Sequence, residues 1–238
     1  MAGRGSRFAD NGYELPKPLI PVHGIPMIEL VIKNLTPSVP HTFTFICREE
    51  HLQTYNLEKY IENATQNYNL LPIKKVTQGA ACTVLLAEEL INNQNQLMIA
   101  NCDQYISVSI DEYLANFSKS RLEGFIMTMT ANDPKWSFVK LNNMELVEQV
   151  REKEVVSSEA TVGIYNFQRG SDFVRGAQEM IRDDERVGNE FYVAPVYNRL
   201  ISDKFRVGVF NIGSEKKGMY GLGIPSDLEF FNALPNLP

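Results

Sequence analysis

The chain has little from which to build a metal cluster, a disulfide framework or a membrane span. Its 238 residues hold three cysteines, three histidines and one tryptophan. Cys47, Cys82 and Cys102 are odd in number and widely spaced, which excludes a disulfide scaffold and a paired-cysteine zinc motif and suits a reducing compartment. His23, His41 and His51 are equally scattered, so the sequence gives a zinc site no support. No apolar run approaches the roughly 20 residues of a spanning helix, and no secretory leader is visible. Positive charge is also short. Against 29 Asp and Glu stand 23 Lys and Arg, for a net charge of −6. That balance argues against a general attraction to nucleic acid or an anionic membrane. An anionic ligand must therefore be held by a local cluster of cations and amides. These absences predict a soluble, cytoplasmic protein with no nucleic-acid or membrane partner. They leave a homo-oligomer open.

What is present is ordinary globular material, 44% hydrophobic, long enough for one large core over residues 1–238. No internal repeat or low-complexity linker interrupts it. Short β-type runs are predicted at "HTFTFIC" (His41–Cys47), "PIKKVT" (Pro72–Thr77), the buried "QLMIANC" (Gln96–Cys102), "GFIMTMTA" (Gly124–Ala131), "ATVGIYNF" (Ala160–Phe167) and "FRVGVFNI". "WSFVKLN" and "ELVEQVREK" predict a hairpin turning at Asn142–Asn143. Helical periodicity marks "NLEKYIENATQNY" (Asn56–Tyr68), "AACTVLLAEELI" (Ala80–Ile91), "DEYLANF" (Asp111–Phe117), Ser171–Arg182, Glu190–Ile201 and the closing "PSDLEFFNAL". Early strands alternate with helices, which predicts α/β architecture with a mixed, mostly parallel sheet flanked by helices. In such sheets ligands sit beyond the carboxyl ends of the strands.

The opening "MAGRGSRFADNGYELPKPLIPV" concentrates features that suit a polyphosphate. Gly3 and Gly5 leave backbone amides unobstructed and permit the dihedrals that turn them inward as an anion nest. Arg7 can fork two donors onto phosphate oxygens, and Lys17, held by Pro16 and Pro18, adds a point charge. The glycines alone fit a plain turn with solvated charges equally well. The spacing is neither that of a P-loop nor of a full dinucleotide fingerprint.

With "PKPLIPVHGIPMIE" added, the sequence resembles the sugar-phosphate nucleotidyltransferases, or pyrophosphorylases. The resemblance runs on through "TQGAACTVLLA", "ANCDQYI", "VREK", "VGIYNF" and "YGLGIPSDL" in the right order. It implies a Rossmann-like, GT-A-like nucleotidyltransferase fold. The implied reaction joins an NTP and a phosphorylated small molecule, by default a sugar 1-phosphate, into an NDP-linked product with loss of pyrophosphate and the help of Mg²⁺. Nucleotide-sugar supply for capsule or other surface polysaccharide is the setting it implies.

The resemblance assigns the nucleotide to Ala2, Gly3, Gly5, Ser6, Arg7, Lys17, Gln78, Gly79 and Asp103, with Arg7 and Lys17 as the catalytic cations. Asp103 ends a strand, where a carboxylate can hold Mg²⁺ against the α-phosphate or simply cap the next turn; Gln104 beside it reads as local support. Gln78 offers a donor and an acceptor for a base edge, and Thr83 nearby has an equally good structural role. For the acceptor the resemblance implies Glu152 at hydroxyls, Lys153 at the phosphate, Gly163 where a side chain would clash, and Glu190 at further hydroxyls. Residues alone allow humbler roles. Lys153 closes a charged strand end, Gly163 suits a bulge, and Glu190 suits the first turn of a helix. Lys140 is a second choice for the phosphate.

Two departures accompany the resemblance. Relatives place a short apolar strand before the glycine loop, whereas Met1 here already lies within the motif. The expectation is a displaced start or a truncation, with an apolar run of about five residues encoded upstream. Relatives also carry an Asp as second metal ligand where this chain has Gly221, with Asp227 nearby in a helix's first turn. Three rivals remain. One is a cytidylyltransferase acting on a phosphocholine-like or phospho-amino-acid acceptor. A glycosyltransferase would want a D-x-D motif of which "NCD" supplies half. A noncatalytic nucleotide sensor would bind but release no pyrophosphate.

Overall fold

The computed structural model describes residues 1–3 and 5–238. In chain order the elements are α1 (Ser6–Ala9), a 3-10 turn (Lys17–Leu19), β1 (Pro21–Val22), β2 (Ile25–Pro26), α2 (Met27–Leu35), β3 (Phe43–Arg48), α3 (Glu49–Tyr55), α4 (Leu57–Ala64) and β4 (Tyr68–Ile73). There follow α5 (Ala80–Leu85), α6 (Glu88–Ile91), β5 (Leu97–Ala100), β6 (Gln104–Ile106), α7 (Ile110–Ser120), β7 (Gly124–Thr130), β8 (Ser137–Leu141), β9 (Val147–Glu152) and β10 (Glu159–Phe167). The chain closes with α8 (Gly170–Arg182), α9 (Val196–Ser202), β11 (Val207–Glu215), β12 (Gly218–Gly221) and α10 (Pro225–Asn232). The architecture is α/β, a mixed sheet with flanking helices, as the sequence predicts. Parallel pairing joins β7 to β11 in the large sheet and β3 to β4 in a separate two-stranded sheet. The chain divides into two compact units, one of residues 1–76, 102–112 and 216–238, the other of residues 77–101 and 113–215.

In the first unit α2 is apolar on nearly every side and is accordingly buried over almost its whole length. Ile28 and Ile32 meet Phe45 and Cys47 of β3 and Leu57 and Ile61 of α4 in one core. Burial pushes the Cys47 thiol up to about 12. His23 and Gly24, both at positive φ, form the two-residue turn joining β1 to β2. β4 starts upstream of the predicted run. It ends at Ile73 because its partner β3 ends at Arg48, and Lys74–Thr77 lie beyond any pairing. Pro72, which cannot donate to a ladder, sits exposed on this two-stranded sheet.

In the second unit β10 is the shared strand. Its first residues, Glu159 and Ala160, pair with β8, and its last four, Ile164–Phe167, pair with β5. Its other edge pairs antiparallel with β7, with a register shift between Thr161 and Tyr165. β8 and β9 form the predicted hairpin. On one face of the sheet Phe125 stacks with Tyr113 and Phe117, and on the other Phe167 stacks with Tyr197 at 4.5 Å. The buried phenols find backbone partners, Tyr113 at Phe125 O (2.9 Å) and Tyr197 at Asn166 O (2.8 Å).

Three further sequence expectations need correction. β5 is only half-buried, and Ala100 is exposed. The helix over Ala80–Ile91 is two helices. At the junction Leu86 and Ala87 donate three residues back, to Thr83 and Val84, and tighten the turn. The second piece is drawn against α8, where glycine at 170 admits the Ile91 carbonyl to within 1.9 Å of where a Cβ would stand. Finally, no helix starts at Glu190. α9 begins at Val196, and residues 190–195 run as a loop, with a single bridge from Glu190 to Val187.

Candidate active site

The opening loop is built by one backbone reversal and one aromatic anchor. Gly5 holds φ +65°, the left-handed region, immediately before α1, and Phe8 of that short helix is buried and edge-on to Tyr13. The point where a Gly5 Cβ would stand is 3.5 Å from Lys17 Cβ, so the loop lies directly on the lysine. Lys17 is fixed in turn by the 3-10 turn that Pro16 and Pro18 set, with Leu19 N donating to Pro16 O (2.8 Å). Ala2, Gly3, Ser6 and Arg7 flank it on the loop, with Arg7 exposed.

Lys17 Nζ donates to Asp103 Oδ2 at 2.5 Å. Burial works most strongly against the Lys17 charge and the Arg7 guanidinium repels it, but Asp103 and Cys102 together outweigh both and raise its pKa. Arg7, Lys17 and Asp103 therefore form one electrostatic group. Asp103 is anchored through its own carbonyl, which accepts from Leu222 N (2.8 Å). A Cβ at Gly223 would stand 2.7 Å from Asp103 Oδ2, so a side chain there would displace the carboxylate. Gln104 follows as a buried support, its Nε2 without a partner among the described residues.

Asp103 suits Mg²⁺ in donor type, a hard carboxylate oxygen on a rigid backbone. Position 221 carries no carboxylate, but Asp227 Oδ2 lies 3.1 Å from where a Gly221 Cβ would be, so an acid does reach that place from the first turn of α10. Among the described residues no group of three or more His, Cys, Asp and Glu assembles. A magnesium ion that is completed by substrate phosphates needs only one or two carboxylates.

In the second unit, Gln78 and Gly79 precede α5. Gly79 O accepts from Thr83 N (3.0 Å), Thr83 Oγ1 (3.1 Å) and Thr77 Oγ1 (3.0 Å), which gives Thr83 the structural role. Gly79 is at φ +123°, and a Cβ there would meet Phe191 O at 2.4 Å and N at 2.5 Å. That closeness stitches two loops together: Phe191 N donates to Gln78 O (2.8 Å), and Ala81 N to Phe191 O (3.0 Å). The Gln78 side chain is left on the exposed surface.

Glu152 ends β9, and its carboxylate accepts from Ser137 Oγ. Burial pushes the Glu152 carboxyl up, against the hydrogen bond from Ser137 and the charge of Lys153. Lys153 follows at φ +58°, pinned by its own N–H to Trp136 O (3.0 Å). Its Nζ donates to Tyr192 Oη at 2.7 Å, and Tyr192 Oη donates to Glu190 Oε2 at 2.6 Å. Of the predicted acceptor residues, Glu152, Lys153 and Glu190 thus belong to one local network. Gly163 sits at φ +80° where β10 changes partner, a bulge whose carbonyl accepts from Asn101 N (2.9 Å). Lys140 is elsewhere engaged, 2.7 Å from Glu148 across the hairpin. Sequence reasoning missed Tyr192 and Ser137. The signal for Tyr192 was its spacing: in extended chain Glu190 and Tyr192 share a side while Phe191 turns to the core.

Residues 1–191 match the family model for nucleotidyl transferase. The bifunctional protein GlmU of Methanococcus maripaludis is 26% identical over 234 residues, 95% of this chain and 51% of that protein. The chain thus spans about half the length of the curated relatives it matches. Among solved structures, a nucleoside-diphosphate-sugar pyrophosphorylase from Vibrio cholerae superposes with TM-score 0.80 at 24% identity, over 98% of both chains. The inositol-1-phosphate CTP transferase from T. maritima superposes with TM-score 0.73 at 14% identity, over 97% of this chain and 91% of that one. At such identities the superpositions establish the fold, and the match over most of its length establishes that the chain belongs to the nucleotidyl transferase family.

Proposed function

We propose that the chain transfers NMP from an NTP to a phosphorylated small molecule, a sugar 1-phosphate in the first instance, and releases pyrophosphate. The observation that carries this is the Arg7, Lys17 and Asp103 group set against the Gly5 loop. Two cations and a carboxylate on a glycine loop suit a triphosphate better than they suit a neutral ligand.

A phosphate oxygen of the acceptor attacks the α-phosphorus, the bond from that phosphorus to the bridging oxygen breaks, and pyrophosphate leaves with the electron pair. No covalent enzyme intermediate is required, so the protein's contribution is position and charge. Arg7 and Lys17 would neutralise the triphosphate, Gln78 would face the base, Lys153 the acceptor phosphate, and Glu152 and Glu190 its hydroxyls. Mg²⁺ held at Asp103 would supply further charge neutralisation at the α-phosphate. The supply of activated sugars for surface polysaccharide is a setting that suits this chemistry.

The second reading is a CTP-dependent transferase with a phosphorylated non-sugar acceptor. The neighbour that acts on inositol 1-phosphate favours it. One experiment decides: pyrophosphate release with Mg²⁺, across the common NTPs and a panel of sugar 1-phosphates, inositol 1-phosphate and phosphocholine. Release that needs one NTP and one acceptor is expected. Nucleotide binding without release from any pair would overturn the transferase reading in favour of a sensor.

A further inference from the structure

Tyr192 stands in the middle of a three-group chain, and the order of that chain is informative. The Lys153 ammonium and the Glu190 carboxylate both touch the same phenol oxygen, at 2.7 and 2.6 Å. The ammonium also lies 4.9 Å from the centre of the Tyr192 ring. Lys153 and Glu190 are exposed, whereas Tyr192 is only partly so. Opposite charges this close would ordinarily meet directly in a surface ion pair. Here a neutral group that accepts from one and donates to the other is interposed.

We propose that Tyr192 is a positioning residue that keeps Lys153 and Glu190 from pairing with each other. This rests on the acceptor roles given above to both. A phenol satisfies one donor direction of the ammonium and one oxygen of the carboxylate. Two ammonium protons stay directed at solvent, where a phosphate can take them, and Glu190 Oε1 stays available to a hydroxyl. The backbone supports the arrangement from both sides. Lys153 is fixed at φ +58° by its bond to Trp136 O, and Glu190 and Tyr192 flank Phe191, whose amide and carbonyl are tied to the Gln78–Ala81 segment. Both ends are thus carried on anchored chain, and the phenol sets the gap. Without the hydroxyl nothing is interposed between the two charges, and a phosphate then has to compete with a carboxylate for the ammonium.

The spacer role makes a prediction that simple structural support does not. Tyr192→Phe should raise the acceptor KM about tenfold while kcat falls less than about threefold, as for loss of one charge-assisted contact made before the transition state. Adding Glu190→Gln to Tyr192→Phe removes the competing carboxylate, so the double variant should bind inorganic phosphate, which makes no use of Glu190 as a hydroxyl partner, better than Tyr192→Phe alone. A second readout needs no turnover: the ¹³Cε signal of Lys153 in protein carrying ¹³C-labelled lysine, followed during addition of inorganic phosphate. Phosphate should shift this signal in the wild type, shift it less in Tyr192→Phe, and shift it again in the double variant. If Tyr192→Phe leaves the phosphate response unchanged, or if the double variant responds no better than the single one, the spacer role is wrong. If the wild type releases no pyrophosphate from any substrate pair, the transferase reading fails, and the lysine signal still decides the role of Tyr192.

Discussion

Lys17 Nζ lies 2.5 Å from Asp103 Oδ2, although 86 residues separate them in sequence. The contact joins the proline-bracketed turn to the residue just before β6. The carboxylate thus has a cation already, in the Lys17 ammonium.

The first prediction follows from that pair. Arg7→Ala and Asp103→Asn should each lower turnover by ~10²–10³ while the protein stays folded, the loss typical of one preorganised charge at a phosphoryl centre. Circular dichroism beside the pyrophosphate assay separates folding from chemistry. Full turnover in either folded variant would remove that residue from the reaction.

The second concerns Gly79. A methyl group there would stand 2.4 Å from a backbone oxygen, on a residue whose φ of +123° already disfavours any side chain. Gly79→Ala should cost about 1–3 kcal/mol in strain alone, and the overlap with Phe191 adds to that. A melting temperature lowered by at least ~5 °C is expected. An unchanged melting temperature would mean the two loops do not bear on each other.

The third concerns pH. Burial raises the Glu152 carboxyl above its ordinary value, so the folded state binds its proton more tightly than the unfolded state does. That stabilisation is fully present below the ordinary carboxylate value and is lost as pH rises through the raised one. Urea unfolding between about pH 4 and about pH 7 should therefore show a loss of stability in the wild type that Glu152→Gln lacks. The same slope in both proteins would assign it to other groups.

Much of this molecule is legible in its sequence, for identifiable reasons. The β8–β9 hairpin was plain because a turn at Asn142 and Asn143 between two β-type runs is a local signal, and β10 because a short apolar β-type run is one too. Glycines, prolines and cations crowd the opening stretch and marked it as a candidate site, but that Gly5 packs on Lys17 was not legible there. What escaped was set by distant partners. Nothing in "AACTVLLAEELI" breaks a helix; the bend follows from docking α6 against Gly170. Nothing in "PIKKVT" says that β3 ends opposite Ile73. Glu190 looked like a helix start because its segment is apolar and helix-compatible, yet Phe191 is held in an extended loop by the backbone of Gln78 and Ala81. Tyr192 fell from view with it.

That tie between Phe191 and the Gln78–Ala81 segment has a thermodynamic side. In the proposed reaction Gln78 faces the nucleotide, while Glu190 faces the acceptor and Tyr192 positions it. Two backbone hydrogen bonds and a glycine with no room for a methyl make these one mechanical part. A ligand that ordered either end would order the other, and the second substrate would then meet a segment whose conformational entropy had already been lost. Linkage makes the effect mutual: whatever factor the nucleotide adds to the affinity for the acceptor, the acceptor adds to the affinity for the nucleotide.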